Sequence, residues 1–128
     1  MIRKRILVPD RVRRPPREGF SWIDRRFLHE FASRLSHDAI VLYLFLAAVS
    51  DKHGLSFYRD TSVAVRLRWR EEAVVVARDE LITHDLVAFQ HPLTQVLSLP
   101  RATRVAQRGL HGLGEIFQQL GGFPNKDE

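Results

Sequence analysis

A mainly α-helical domain with a small β-hairpin is predicted for this chain by three observations. Apolar residues recur at helical spacing in Ile23–Leu35 and Arg70–His84, and His37–Lys52 between them is apolar nearly all round. A short stretch, Asp60–Leu67, is set off from Arg70–His84 by only Arg68 and Trp69. Two strand-like runs, Leu86–Gln90 and Gln95–Leu99, then flank His91-Pro92-Leu93-Thr94. With 128 residues, 45% of them hydrophobic, the chain suits one domain with tails and a core built from about 80–100 residues.

The elements follow in order. Residues 1–19 are rich in arginine and proline, and Pro15-Pro16 with Gly19 argues against a helix, so an extended arm is expected. Ile6-Leu7-Val8 offers an alternative, an added edge strand. Ser21 or Asp24 is a candidate cap for a first helix, with Ile23, Phe27, Leu28, Phe31 and Leu35 on one face. Ser36 caps a second helix from His37 to about Lys52, and Asp38 in its first turn suits the helix dipole. This helix is apolar nearly all round, which predicts a central position covered by its neighbours. Gly54 is expected to end it with a left-handed cap. Leu55–Tyr58 reads as a short strand or an extended lead-in, and such a strand often pairs with the hairpin. In the helix Arg70–His84 the residues Val74, Ala77, Leu81 and Ile82 fall at core spacing, leaving Glu71, Glu72, Val75, Arg78 and Asp79 on other faces. Trp69 is expected to pack between the two helices it joins. Residues 101–120 can form an amphipathic helix through Val105, Leu110, Leu113, Ile116, Phe117 and Leu120, although Gly109, Gly112 and Gly114 each cost up to about 1 kcal/mol against alanine. The chain therefore divides into an arm (1–19), a domain (20–99) and a C-terminal helix with its tail (100–128).

Two helices across a short turn, followed by a hairpin, make the order of a winged helix-turn-helix, whose second helix usually enters the major groove of DNA. The charge adds to this reading unevenly. Residues 1–18 carry a net charge of +5 through Arg3, Lys4, Arg5, Arg11, Arg13, Arg14 and Arg17, whereas residues 19–99 sum to −1. Within the domain, Arg59, Arg66, Arg68, Arg70 and Arg78 gather around the turn. Arginine suits bidentate contacts to phosphate and guanine. Tyr58 is a candidate for a phosphate bond or, equally, for a place at the edge of the core. These twelve cationic residues form the candidate nucleic-acid contact set.

Other chemistries find little support. There is no cysteine, hence no disulfide framework and no thiolate chemistry. Six histidines are scattered, with no pair at metal-ligand spacing on one helix face. No phosphate-binding loop, Gly-x-Ser-x-Gly or His-Glu-x-x-His motif is present. Glu71-Glu72 and Asp79-Glu80 are adjacent pairs that do not face each other on a helix, and they read as a solvated surface. The longest apolar run, Ala39–Val49, has 11 residues where a membrane span needs about 20. No enzyme activity, cofactor, metal or membrane association is expected. Without a visible signal peptide, the expected location is cytoplasmic.

The stretch from Phe57 to Leu99, FYRDTSVAVRLRWREEAVVVARDELITHDLVAF…QVLSLP, resembles bacterial winged helix-turn-helix domains. It is closest in style to the N-terminal domains of plasmid and phage replication initiators and to small regulators of mobile elements. The segment Leu81–Val87 (LITHDLV) is similar to the exit of their recognition helix into the first wing strand. The resemblance covers about residues 20–99 and implies groove-facing roles for Arg68, Arg70, Glu71, Glu72 and Val75. Glu71 and Glu72 depart from the usual basic or neutral pattern, and the wing loop has no lysine or arginine. The expected function is sequence-nonspecific or weakly specific DNA binding, as a transcriptional regulator or a replication or mobile-element accessory factor. Double-stranded DNA is the expected partner, and residues 101–120 are a candidate dimer or protein contact. The alternative is a winged-helix adaptor subunit of a larger assembly, since such domains also serve as protein-interaction modules.

Overall fold

The computed structural model describes residues 1–101. The expected C-terminal helix lies outside the described residues. Three α-helices, α1 (His37–Val49), α2 (Asp60–Leu67) and α3 (Glu71–Thr83), surround one core. Three short strands, β1 (Leu55–Ser56), β2 (Val87–Gln90) and β3 (Leu93–Val96), form an antiparallel sheet in the order β1-β3-β2. Among the described residues no helix is long and apolar enough to cross a membrane.

The arm carries no strand. Its one regular feature is a 3-10 turn at Pro9–Arg11, and every residue from Met1 to Gly19 is exposed. The expected first helix is uneven instead of α-helical throughout. A π-helical turn spans Phe27–Phe31 and a 3-10 turn spans Ala32–Arg34. Phe27, Phe31 and Leu35 are four residues apart and all buried, with Leu35 already extended beyond the turns. An α-helix would carry the same spacing on one face, so the spacing alone does not distinguish it from these turns. Phe27 stacks on Tyr43 of α1 with ring centroids 4.0 Å apart, while Ile23 and Leu28 stay exposed. Asp24 starts the segment, its carboxylate accepting from the Arg26 amide at 2.8 Å.

α1 ends at Val49, short of the expected Lys52, and the extended Ser50 follows it. It is central, yet one side of it is open. Ala39, Leu42, Tyr43, Leu46 and Ala47 are buried, whereas Val41, Leu44 and Ala48 form an exposed stripe. A helix apolar on every side has no pattern to say which side its neighbours will leave uncovered. Gly54 has the left-handed φ of +84°, but it closes a turn leading into β1 instead of capping α1. A Cβ there would lie 2.5 Å from the Val96 carbonyl oxygen, so only glycine fits this approach of backbone to β3.

The hairpin turn is also tighter than expected. Val87 pairs with Val96 and Gln90 with Leu93, so the turn is only His91-Pro92. β3 therefore starts two residues before the predicted Gln95 and ends before Leu97. β1 pairs with β3 as expected, with Leu55 opposite Gln95.

Ser36 joins two helices at one point. Its Oγ accepts from the Ala39 amide at 3.1 Å, capping α1, and donates to Glu80 Oε1 of α3 at 2.6 Å. Its own amide donates to Glu80 Oε2 at 2.7 Å. Glu80, read from the sequence as part of a solvated surface, is half-buried and tied to Ser36. The Ser36 hydroxyl, then the Ser36 amide, hold its carboxyl below the ordinary glutamate range. A depressed pKa means the tie stabilises fully above the unfolded value of about 4.3 and is lost as pH falls through the lower folded one. Urea unfolding of the native chain should weaken more between about pH 5 and pH 3 than that of Glu80→Gln, which has no carboxylate here to titrate. Equal pH dependence of the two would refute the role assigned to Glu80.

Candidate nucleic-acid interface

The turn between α2 and α3 is built around an arginine in a conformation that suits glycine. Arg68 has φ 60° and ψ 44°, the left-handed region that ends a helix. Its amide reaches the Val65 carbonyl at 3.3 Å, and the next amide, from Trp69, reaches the Ala64 carbonyl at 2.8 Å. Trp69 is half-buried against the core, which anchors the turn. Arg70 is extended and directly precedes α3, so the chain leaves the turn with the Arg70 side chain exposed.

Four of the five arginines expected here are at the surface. Arg59 precedes α2, Arg66 sits in its last turn, and Arg68 and Arg70 flank Trp69; all four are exposed. A cleft lined by Tyr58, Arg59, Glu71, Phe89 and His91 places Arg59 beside the first turn of α3 and the hairpin turn. Arg59 and Arg70 therefore bracket the start of α3. Glu71 and Glu72 occupy that first turn, where negative charge complements the helix dipole.

Arg78 is placed differently from the sequence expectation. It is 9% exposed. Its guanidinium pairs with Asp60 at the start of α2 and lies over the Phe89 ring, 4.1 Å from the centroid. It is thus the pin that holds α3 to α2 and to β2, and its side chain is committed to the fold. The spacing carried the signal: Val74, Ala77, Arg78 and Leu81 share the buried stripe of α3, and Arg78 is its one charged member. Ile82, expected in the core, is exposed. The outward face of α3 is left with Glu72, Val75, Val76, Asp79 and Thr83 and holds no cation.

The seven cations of the arm, Arg3, Lys4, Arg5, Arg11, Arg13, Arg14 and Arg17, are all exposed. Among the described residues the only ion pairs are Arg26–Glu30 and Arg78–Asp60, so no acidic side chain engages the arm or the turn arginines. The arm leaves the body beside a cleft lined by Glu18, Phe20, Trp22, Lys52, His53 and Leu99, among others. Its 19 residues, at about 3.3 Å each, can span about 60 Å, ample to reach round a domain of this size. Among the described residues no three acidic or histidine side chains converge as a metal site. No protein-family model, curated protein or solved structure matches the chain.

Arg68 separates two roles by experiment. Glycine relieves the left-handed strain, so Arg68→Gly should raise stability by about 1 kcal/mol in urea unfolding. The same variant should bind duplex DNA several-fold more weakly. Arg68→Ala should lose binding without the gain in stability. A glycine variant that binds as tightly as the native chain removes Arg68 from the interface.

Proposed function

We propose that the chain is a winged helix-turn-helix protein that binds double-stranded DNA with little sequence preference. In this reading α2, the turn and α3 are the helix-turn-helix, and β2–β3 are the wing, supported by β1. The observation that carries it is the set of eleven exposed cations, seven in the arm and four around the turn, with no acidic partner among the described residues. Such a set suits phosphate contacts, which fix position on the duplex without reading sequence. The outward face of α3 explains the weak specificity. It offers Glu72, Val75 and Asp79, where strong readers place arginine, asparagine or glutamine to meet base edges. A role as a small regulator or a replication or mobile-element accessory factor fits this mode of binding.

A mobility shift on unrelated duplexes across a salt series tests the reading. Comparable affinities for all sequences, falling steeply with salt, are expected. The acidic and apolar outward face of α3 favours a second reading, a protein-interaction adaptor. A chain that shifts no duplex at about 50 mM salt sinks the first reading and leaves the second standing.

A further inference from the structure

We infer that the cleft between the lead-in to α2 and the hairpin turn receives an unpaired base of a nucleic-acid strand. The cleft has a volume of about 450 Å³, and four rings line it, those of Phe57, Tyr58, Phe89 and His91. Three of the rings are held in place. Tyr58 meets Phe45 edge to face with centroids 5.3 Å apart. Phe89 carries the Arg78 guanidinium over one face, and His91 stands edge-on to Phe89 at 6.4 Å. Phe57 is different: it is 69% exposed and takes no part in the core. A preformed aromatic cleft with one ring open to solvent is a site for a flat ligand.

Two observations select a base as the occupant. Arg59 lines the same cleft, is exposed and has no acidic partner among the described residues. Aromatic rings beside such a cation suit a single strand, whose bases stack on the rings while its phosphates meet the cation; a paired duplex keeps its base faces covered. The second observation is Glu71, which lines the cleft wall, whereas the other carboxylate there, Asp60, is already paired with Arg78. A carboxylate repels phosphate, but it accepts from the amino group of a base edge. Glu71 thereby gains a use that a phosphate-only surface would not give it. The inference rests on reading this face as a nucleic-acid interface, and it extends that reading from the duplex to an unpaired strand beside it.

Two labelled strands of equal charge separate bases from phosphates: about twelve thymidines, and an abasic strand of the same length. Fluorescence anisotropy with the full chain should show the thymidine strand bound about tenfold more tightly, the fold-change of one stacked base. Phe57→Ala should lose most of this preference and Phe57→Trp should keep it. Both variants should melt as the native chain does, because the Phe57 side chain is mostly in solvent. Equal affinity of the native chain for the two strands overturns the assignment and leaves the cleft to a protein partner. A Phe57→Ala variant that keeps the tenfold preference overturns it too. A blunt duplex judges the duplex reading separately. A chain that shifts the duplex without preferring bases loses only this assignment, and one that prefers thymidine but shifts no duplex loses only the duplex reading.

Discussion

Removing residues 1–18 should weaken duplex binding by about two to three orders of magnitude near 0.1 M salt and lower the slope of log affinity against log salt by up to about six. The arm holds seven of the eleven exposed cations assigned to the interface, and each cation seated on a phosphate releases about 0.9 of a counterion. The truncated domain should keep a slope of about −4 from Arg59, Arg66, Arg68 and Arg70. Its stability should be unchanged, because no residue from Met1 to Gly19 is buried. Fluorescence titrations of both forms at four or five salt concentrations read all of these quantities. An arm that leaves affinity and slope untouched would place the electrostatic drive in the domain alone, and a domain of net charge −1 is a poor source of it.

The second large effect is on stability. Arg78→Ala should cost about 2–3 kcal/mol, because it removes a nearly buried guanidinium that Asp60 and the Phe89 ring both engage. The cost stays below that of a fully buried pair, because the Asp60 side chain is 32% exposed and water can solvate it once it is alone. A domain of this size should lose on the order of 10 °C or more in melting temperature. Arg78→Lys should not rescue it, since an ammonium neither stacks on Phe89 nor offers a planar fork to Asp60. Measured on the folded fraction, DNA affinity of Arg78→Ala should match the native chain, whereas Arg70→Ala should lose affinity with little loss of stability. Reversed outcomes for these two variants would exchange their roles.

How far the sequence could be read depended on the kind of signal each residue carried. α3 and its capped neighbour α2 were legible because apolar spacing and the Arg68-Trp69 break agree on their limits. Ser36 was legible as a cap because its hydroxyl serves a local amide. Its tie to Glu80 was not, since 44 residues separate the partners and no local rule links them. The segment from Phe27 to Arg34 read as a plain helix because its four-residue apolar spacing suits an α-helical face, and that spacing does not distinguish an α-helix from the π and 3-10 turns that form there. Arg78 was misplaced for a different reason. Its charge suggested the surface, while its position beside Ala77 and between Val74 and Leu81 specified the interior. In the candidate interface, the exposed arginines are the ones whose positions fall at turns and helix ends, where side-chain direction is set by the local backbone.

The pairing of β1 with β3 has a consequence for modularity. Leu55 and Gln95 are strand partners, so the two ends of the segment between them lie only about 5 Å apart. Everything proposed to meet the duplex from the folded body, the four arginines included, lies on the loop of chain that this pairing closes. The ends of the segment are thus already in register for insertion between two neighbouring strands, provided that another surface replaces α1 against its buried face. The closure does not free α1, because that helix shares the core with α3 and Ser36 at its start is tied to Glu80, so in this protein α1 and the loop must be kept together.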